Sequence, residues 1–117
     1  MDRNKMKDDE EMSRKVFDHV SRKRLAAMKA IMRRRISAYA RENGYEIQTW
    51  HVPEAADSVW HVVLRSKKGK SKLDFMARVQ HDSTAQRLTI AMMRKPWFVT
   101  YESALAQLQS VYKATRS

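Results

Sequence analysis

Apolar residues recur at spacings of three and four between positions 21 and 43, and this period predicts a long amphipathic helix. The apolar stripe consists of Leu25, Met28, Met32, Ile36 and Tyr39. Ser21 is suited to cap the start of the helix. Asn43 followed by Gly44 is suited to end it, because glycine accepts the left-handed backbone found after many helices.

Met12, Val16 and Val20 lie four residues apart and follow an acidic run at residues 8–11. Acidic side chains stabilise the first turn of a helix, so this stretch predicts a helix that begins near Asp9. It either ends before a new start at Ser21 or continues into the long helix. Residues 1–8 have no apolar period, and we expect them to be disordered.

The carboxyl-terminal stretch predicts another helix, from the N-cap Thr100 to about Ala114. Its apolar stripe consists of Tyr101, Leu105, Leu108 and either Val111 or Tyr112. Glu102 lies in the first turn, where a negative charge is favourable.

Between these helices, apolar and polar residues alternate, which predicts strands. The four predicted strands cover residues 45–52, 59–65, 72–80 and 86–93. In the last two, the inward positions are Leu73, Phe75, Ala77, Val79, Leu88, Ile90 and Met92. Residues 53–57 are predicted to form a loop, and Gly69 marks a basic turn between the second and third strands.

Each predicted helix has one apolar stripe and most of the strands have one apolar face. Short connections favour antiparallel neighbours. The sequence therefore predicts a single α+β domain over residues 9–117, built as two layers. One layer is a four-stranded antiparallel meander, and the other holds the long N-terminal helix and the C-terminal helix on one face of the sheet.

The composition excludes several classes of protein. The chain has 117 residues, of which 43% are hydrophobic, and it contains no cysteine. This excludes disulfides, thiolate catalysis and cysteine-ligated zinc. No apolar stretch approaches the roughly 18 residues needed to span a membrane, and the N-terminus begins with charged residues. We therefore expect a soluble, cytoplasmic protein that does not bind membranes.

Positive charge is concentrated in two blocks that contain no acidic residue. Residues 22–41 include eight Lys or Arg and residues 65–72 include five, within a chain of net charge +11. Like charges at this density repel one another in the folded state. A polyanion relieves that repulsion, and nucleic-acid backbones are bound mainly through such contacts. DNA or RNA is therefore the first predicted partner.

In the predicted fold, many basic residues lie on the sheet face that the helices leave uncovered or in the turn around Gly69. The candidate phosphate-binding residues are Arg65, Lys67, Lys68, Lys70, Lys72, Arg78 and Arg87, together with Arg33, Arg34 and Arg41 on the flank of the long helix. The alternative is a merely solvated polar sheet face. Such a face normally mixes both signs of charge, however, and Asp74 is the acidic residue expected among these outward positions.

Exposed aromatic or methionine side chains would add other contacts. Trp50 and Trp97 are candidates for stacking on bases, with core packing as the alternative. Met76 and Met93 are expected to face outward, which is typical of a surface for a protein partner or a homodimer, with core or near-core packing as the alternative.

Catalytic chemistry has weak support in the sequence. The histidine and acidic residues have no metal-ligand spacing and there is no glycine-rich phosphate loop, so we expect no metal and no cofactor. The leading hypothesis is a non-enzymatic nucleic-acid-binding module. The alternatives are an inhibitor or adaptor that docks on an acidic protein surface, and a metal-independent ribonuclease. The ribonuclease would draw on His61, His81, Arg65, Arg78 and Arg87.

Overall fold

The computed structural model describes residues 13–51 and 59–116. In chain order, their elements are β1 Arg14–Phe17, α1 Arg22–Glu42, β2 Glu46–His51, β3 Val59–Lys68, β4 Ser71–Lys72, β5 Phe75–Asp82, β6 Arg87–Arg94 and α2 Tyr101–Ala114. The protein is thus an α+β protein with two helices and an antiparallel sheet in this part of the chain.

The two helices begin and end where their capping residues predict. The Ser21 hydroxyl accepts a hydrogen bond from the Arg24 N–H at 3.1 Å, and Asn43 ends α1 ahead of Gly44, whose φ is +75°. At the start of α2, the Thr100 hydroxyl accepts from the Ser103 N–H at 3.0 Å. These caps satisfy backbone groups that a helix end leaves without an intrahelical partner.

The strand order in the sheet is β1-β6-β5-β3-β2, and β4 pairs only with β3. Every described pair is antiparallel. Strands β2, β3, β5 and β6 form the predicted meander. Helix α1 connects the two edge strands, β1 and β2.

The sheet has six described strands, so the prediction of four was wrong. The first addition is β1, which falls where a helix was predicted. A spacing of four residues is compatible with a helix and with a strand, because it is about one helical turn and also two repeats of the two-residue period of a strand. The structure adopts the strand, with Arg14 opposite Ala91 and Phe17 opposite Leu88. The predicted helix start near Asp9 and the predicted disordered residues 1–8 lie outside the described residues.

The second addition is β4, because the predicted third strand is interrupted. The buried Ser66 hydroxyl donates to the Leu73 carbonyl at 2.7 Å, and the Ser66 N–H donates to the Asp74 carboxylate at 3.2 Å. These bonds hold residues 73–74 out of the ladder. Lys72 therefore pairs with Lys67 in the β3–β4 hairpin and is not in line with Arg78. The predicted loop at residues 53–57 lies outside the described residues.

Both helices pack on the same face of the sheet. One buried cluster joins Leu25 and Met28 of α1, Leu108 and Val111 of α2, and the strand residues Phe17, Ala77, Val79, Leu88 and Ile90. Tyr39, which was predicted to belong to the α1 stripe, is 46% exposed, and Ala40 is buried instead. Ala40 continues the four-residue row from Met28, so it takes the inward position at the end of the helix.

Candidate nucleic-acid interface

The face of the sheet turned away from the helices, here called the open face, carries basic residues on neighbouring strands. One cross-strand row contains Arg14 of β1, Ala91 of β6, Arg78 of β5 and His61 of β3. Arg14, Arg78 and His61 are exposed. Adjacent strands lie about 4.8 Å apart, so the Arg14 and Arg78 backbones are separated by roughly 10 Å.

Strand β3 extends this charge toward the β3–β4 hairpin. Arg65 is exposed opposite Thr49, and Lys67 is exposed opposite Glu46. Lys72 of β4 is the partner of Lys67 on the other side. Two lysines directly opposite each other in a sheet repel, and Glu46 gives Lys67 a negative neighbour on its other side only.

A register shift in β6 adds another arginine to the open face. Met76 pairs with Arg94, whereas Ala77 pairs with Met92, so Met93 is an extra residue in the ladder. Arg94 therefore lies beside Met76 on the open face, and it is exposed. We call Arg14, Arg65, Lys67, Arg78 and Arg94 the basic strip.

Sequence reasoning missed two members of the basic strip. Arg14 was missed because β1 was predicted to be helical, and its two polar residues followed by two apolar ones do not show the alternation of a strand. Arg94 was missed because a bulge leaves no clear signal in the sequence.

Arg87 reaches the open face but lies at its other end. Its Nε is 3.3 Å from Asp18 Oδ1, and Asp82 is its cross-strand partner. On the paired strands of the open face, the carboxylates are Glu46 and Asp82, at opposite ends of the sheet. Asp74, between β4 and β5, accepts a hydrogen bond from the Ser66 N–H, next to Arg65. The positive charge of Arg87 is thus compensated locally, whereas Arg78 faces Ala91 and His61 and has no cross-strand carboxylate.

The lysines of the β3–β4 hairpin point in different directions. The Lys68 ammonium lies 5.9 Å from the centroid of the Tyr45 ring, beside the end of α1, and Tyr45 Oη lies 3.1 Å from Ser71 Oγ. The negative end of the helix dipole favours a cation at this position, so Lys68 can stabilise the end of α1. Lys70 is exposed at the tip of the hairpin, next to Gly69.

The arginines of α1 belong to the other side of the molecule. Arg33, Arg34 and Arg41 are exposed and border one shallow surface of the helix together with Ala30, Ser37 and Ala38. Because α1 covers the face of the sheet opposite to the open face, the structure does not bring Arg33 and Arg34 together with the basic strip. Arg41 lies in the last turn of α1, near the hairpin.

The two tryptophan candidates differ in exposure. Trp50 is the partner of the buried Leu64, so it lies on the helix-covered face and is half-buried. Trp97 is 91% exposed in the turn between β6 and α2. Its ring meets the Phe98 ring edge-on, with centroids 5.7 Å apart.

The histidines proposed for a ribonuclease are on opposite faces. His81 is 2% exposed on the helix-covered face, and its Nε2 lies 2.8 Å from the Val20 carbonyl oxygen. That geometry makes Nε2 the donor, and Nδ1 is buried without a partner. His61 is exposed opposite Arg78. The sheet therefore separates His81 from Arg78 and Arg87. No cluster of three metal-ligating side chains occurs within residues 13–51 and 59–116.

Comparison with known proteins found no match to a protein-family model, to a curated protein or to a solved structure. In the described part of the chain, neither helix combines the length and the apolar character needed to cross a membrane.

Proposed function

We propose that this protein is a small nucleic-acid-binding module that acts by binding alone and holds backbone phosphates on the open face of its sheet. The observation that carries the proposal is the basic strip, which crosses four strands and has Arg78 at its centre, opposite Ala91 and His61 rather than a carboxylate. Arginine side chains held on a rigid sheet can each bind a phosphate through two parallel hydrogen bonds.

The hairpin lysines support the same proposal. Lys67 and Lys72 face each other directly, and Lys70 is exposed at the tip. A phosphate between Lys67 and Lys72 would replace their repulsion with two attractions. Flexible lysine side chains can follow an irregular backbone because each presents a mobile point charge.

Sequence preference should be weak. The open face offers mainly guanidinium and ammonium groups, with Gln80, opposite Thr89, as an amide on its paired strands. Bidentate amides placed to read base edges are what sequence-specific binding requires, whereas phosphate contacts position a protein without reading sequence.

The decisive experiment compares two variants with the same loss of charge. Arg65→Gln/Arg78→Gln removes two cations from the basic strip, and Arg33→Gln/Arg34→Gln removes two from the helix layer. Affinity for labelled single-stranded and duplex oligonucleotides is measured by fluorescence anisotropy between 50 and 200 mM salt. All four positions are exposed, so both variants should fold.

We expect the strip variant to lose two phosphate contacts. Its plot of log K against log salt for single strands should be shallower by about 1.4, which corresponds to roughly 25-fold weaker binding at 0.1 M if the lines meet near 1 M. The helix-layer variant should keep most of the slope. Equal losses would mean that only net charge matters. Absence of wild-type binding at 50 mM salt would refute the proposal and favour an acidic protein as the partner.

A further inference from the structure

Trp97 lies in a hydrogen-bonded turn that exposes its side chain to solvent. The Val99 N–H donates to the Pro96 carbonyl at 3.0 Å, and Pro96 itself is buried. The Phe98 ring packs edge-on against the indole and is itself 42% exposed. Trp97 and Phe98 together form a small exposed apolar patch outside the core, and such patches are candidate contact surfaces.

Trp97 is close along the chain to Arg94, a member of the basic strip. Trp97 follows Arg94 by three residues, so the two Cα atoms are within roughly 11 Å of each other. Strands β3 and β6 run in the same direction. The carboxyl end of β6 therefore lies at the same end of the sheet as the lysine-containing β3–β4 hairpin. Lys95 lies between Arg94 and Trp97 in the chain, and its ammonium is 4.8 Å from the centroid of the Tyr101 ring.

A second copy of the chain is a poor occupant for this surface. A symmetric contact through Trp97 would bring Arg94 and the hairpin lysines of two molecules together, and each chain carries a net charge of +11. A ligand that is both anionic and planar satisfies the indole and the neighbouring cations at once. Single-stranded nucleic acid has this chemistry, because its phosphates are negative and its base faces are unpaired.

We propose, as a step that rests on the proposed function, that Trp97 stacks on an unpaired base and thereby makes the protein prefer single strands to duplexes. A duplex hides the faces of its bases, so it can contact the basic strip but not the indole face. The basic strip then supplies affinity and salt dependence, and Trp97 supplies the discrimination between the two forms.

The test uses the full chain with Trp97→Ala, Trp97→Phe and the control Tyr39→Ala, which removes an exposed aromatic ring from α1. The probes are a single-stranded 12-mer, its duplex, and an abasic strand of the same length that keeps every phosphate. We expect Trp97→Ala to bind the single strand about tenfold more weakly with an unchanged salt slope. Its duplex and abasic affinities should match the wild type, and Trp97→Phe should retain most single-strand binding.

Each other result has a distinct meaning. If wild type binds the 12-mer and Trp97→Ala binds it equally well, stacking is refuted while the proposed function stands. If wild type binds the abasic strand as tightly as the 12-mer, stacking is also refuted. Absence of wild-type binding to every probe refutes both proposals. A change in oligomeric state in Trp97→Ala, with unchanged 12-mer affinity, would assign the surface to self-association instead.

Discussion

Arg24 shows that a residue in a basic block can be structural. Its Nη2 donates to the Tyr112 carbonyl at 2.7 Å, its Nε to the Thr115 hydroxyl at 3.0 Å and its Nη1 to the His19 carbonyl at 3.1 Å. The guanidinium also lies 3.8 Å from the centroid of the Tyr112 ring. It therefore joins the start of α1 to the end of α2, where the helix dipole favours a cation.

Arg24→Ala should lower the free energy of unfolding by about 2–3 kcal/mol, because it removes several charge-assisted hydrogen bonds and a cation–π contact that are partly shielded from water. The neighbouring Lys23 is exposed, so Lys23→Ala is the matched control and should change stability by no more than about 0.5 kcal/mol. Urea denaturation of both variants measures the difference. Equal losses would show that charge alone is involved.

The helices were predictable from the sequence because the signals that define them are local. Ser21, Asn43 and Thr100 cap the helices within one turn of the residues they stabilise. Strand β1 was not predictable in the same way, since its partner β6 lies more than 70 residues away in the chain. With four residues, β1 is too short for its pattern of apolar and polar residues to distinguish a strand from a helix.

The open-face residues were predictable in part for the same reason. Alternation along β3 and β5 indicates that Arg65 and Arg78 share a face, and the register confirms that placement. Arg94 depends on a bulge, and the position of Arg33 relative to the open face depends on how the layers stack. Both are tertiary properties that alternation within one segment does not encode.

The β3–β4 hairpin can be tested as one element. Lys67→Gln/Lys68→Gln/Lys70→Gln should weaken nucleic-acid binding and make its salt dependence shallower. Stability should change little, because relief of the Lys67–Lys72 repulsion offsets the loss of Lys68 beside the end of α1. Anisotropy and thermal unfolding are the measurements.

The control for the hairpin is Lys23→Gln/Arg33→Gln/Arg34→Gln, which has the same loss of charge on α1, away from the hairpin. Binding that remains unchanged in the hairpin triple variant would remove the hairpin from the interface. Binding that falls equally in both triple variants would indicate attraction to the overall charge of the protein.

At the scale of the whole molecule, the two layers divide the positive charge. The basic strip lies on the open face of the sheet, and the α1 arginines lie on the helix layer behind it. The field of the protein therefore extends over both sides, and it should speed the approach of any polyanion. The open face, however, presents its cations on a rigid sheet, and its strand β6 leads directly into the turn that carries the exposed Trp97.

This distribution of charge also predicts how stability responds to salt. Two cations about 10 Å apart repel by roughly 0.4 kcal/mol in water, and a chain of net charge +11 contains many such pairs. Raising NaCl from 20 to 300 mM shortens the screening length and should raise the midpoint of thermal unfolding. Arg65→Gln/Arg78→Gln should unfold about 2–4 °C higher than wild type at 20 mM, and its midpoint should rise less with salt. A midpoint that falls as salt is added would mean that favourable ion pairs outweigh repulsion, and the basic strip would then carry no electrostatic strain for a polyanion to relieve.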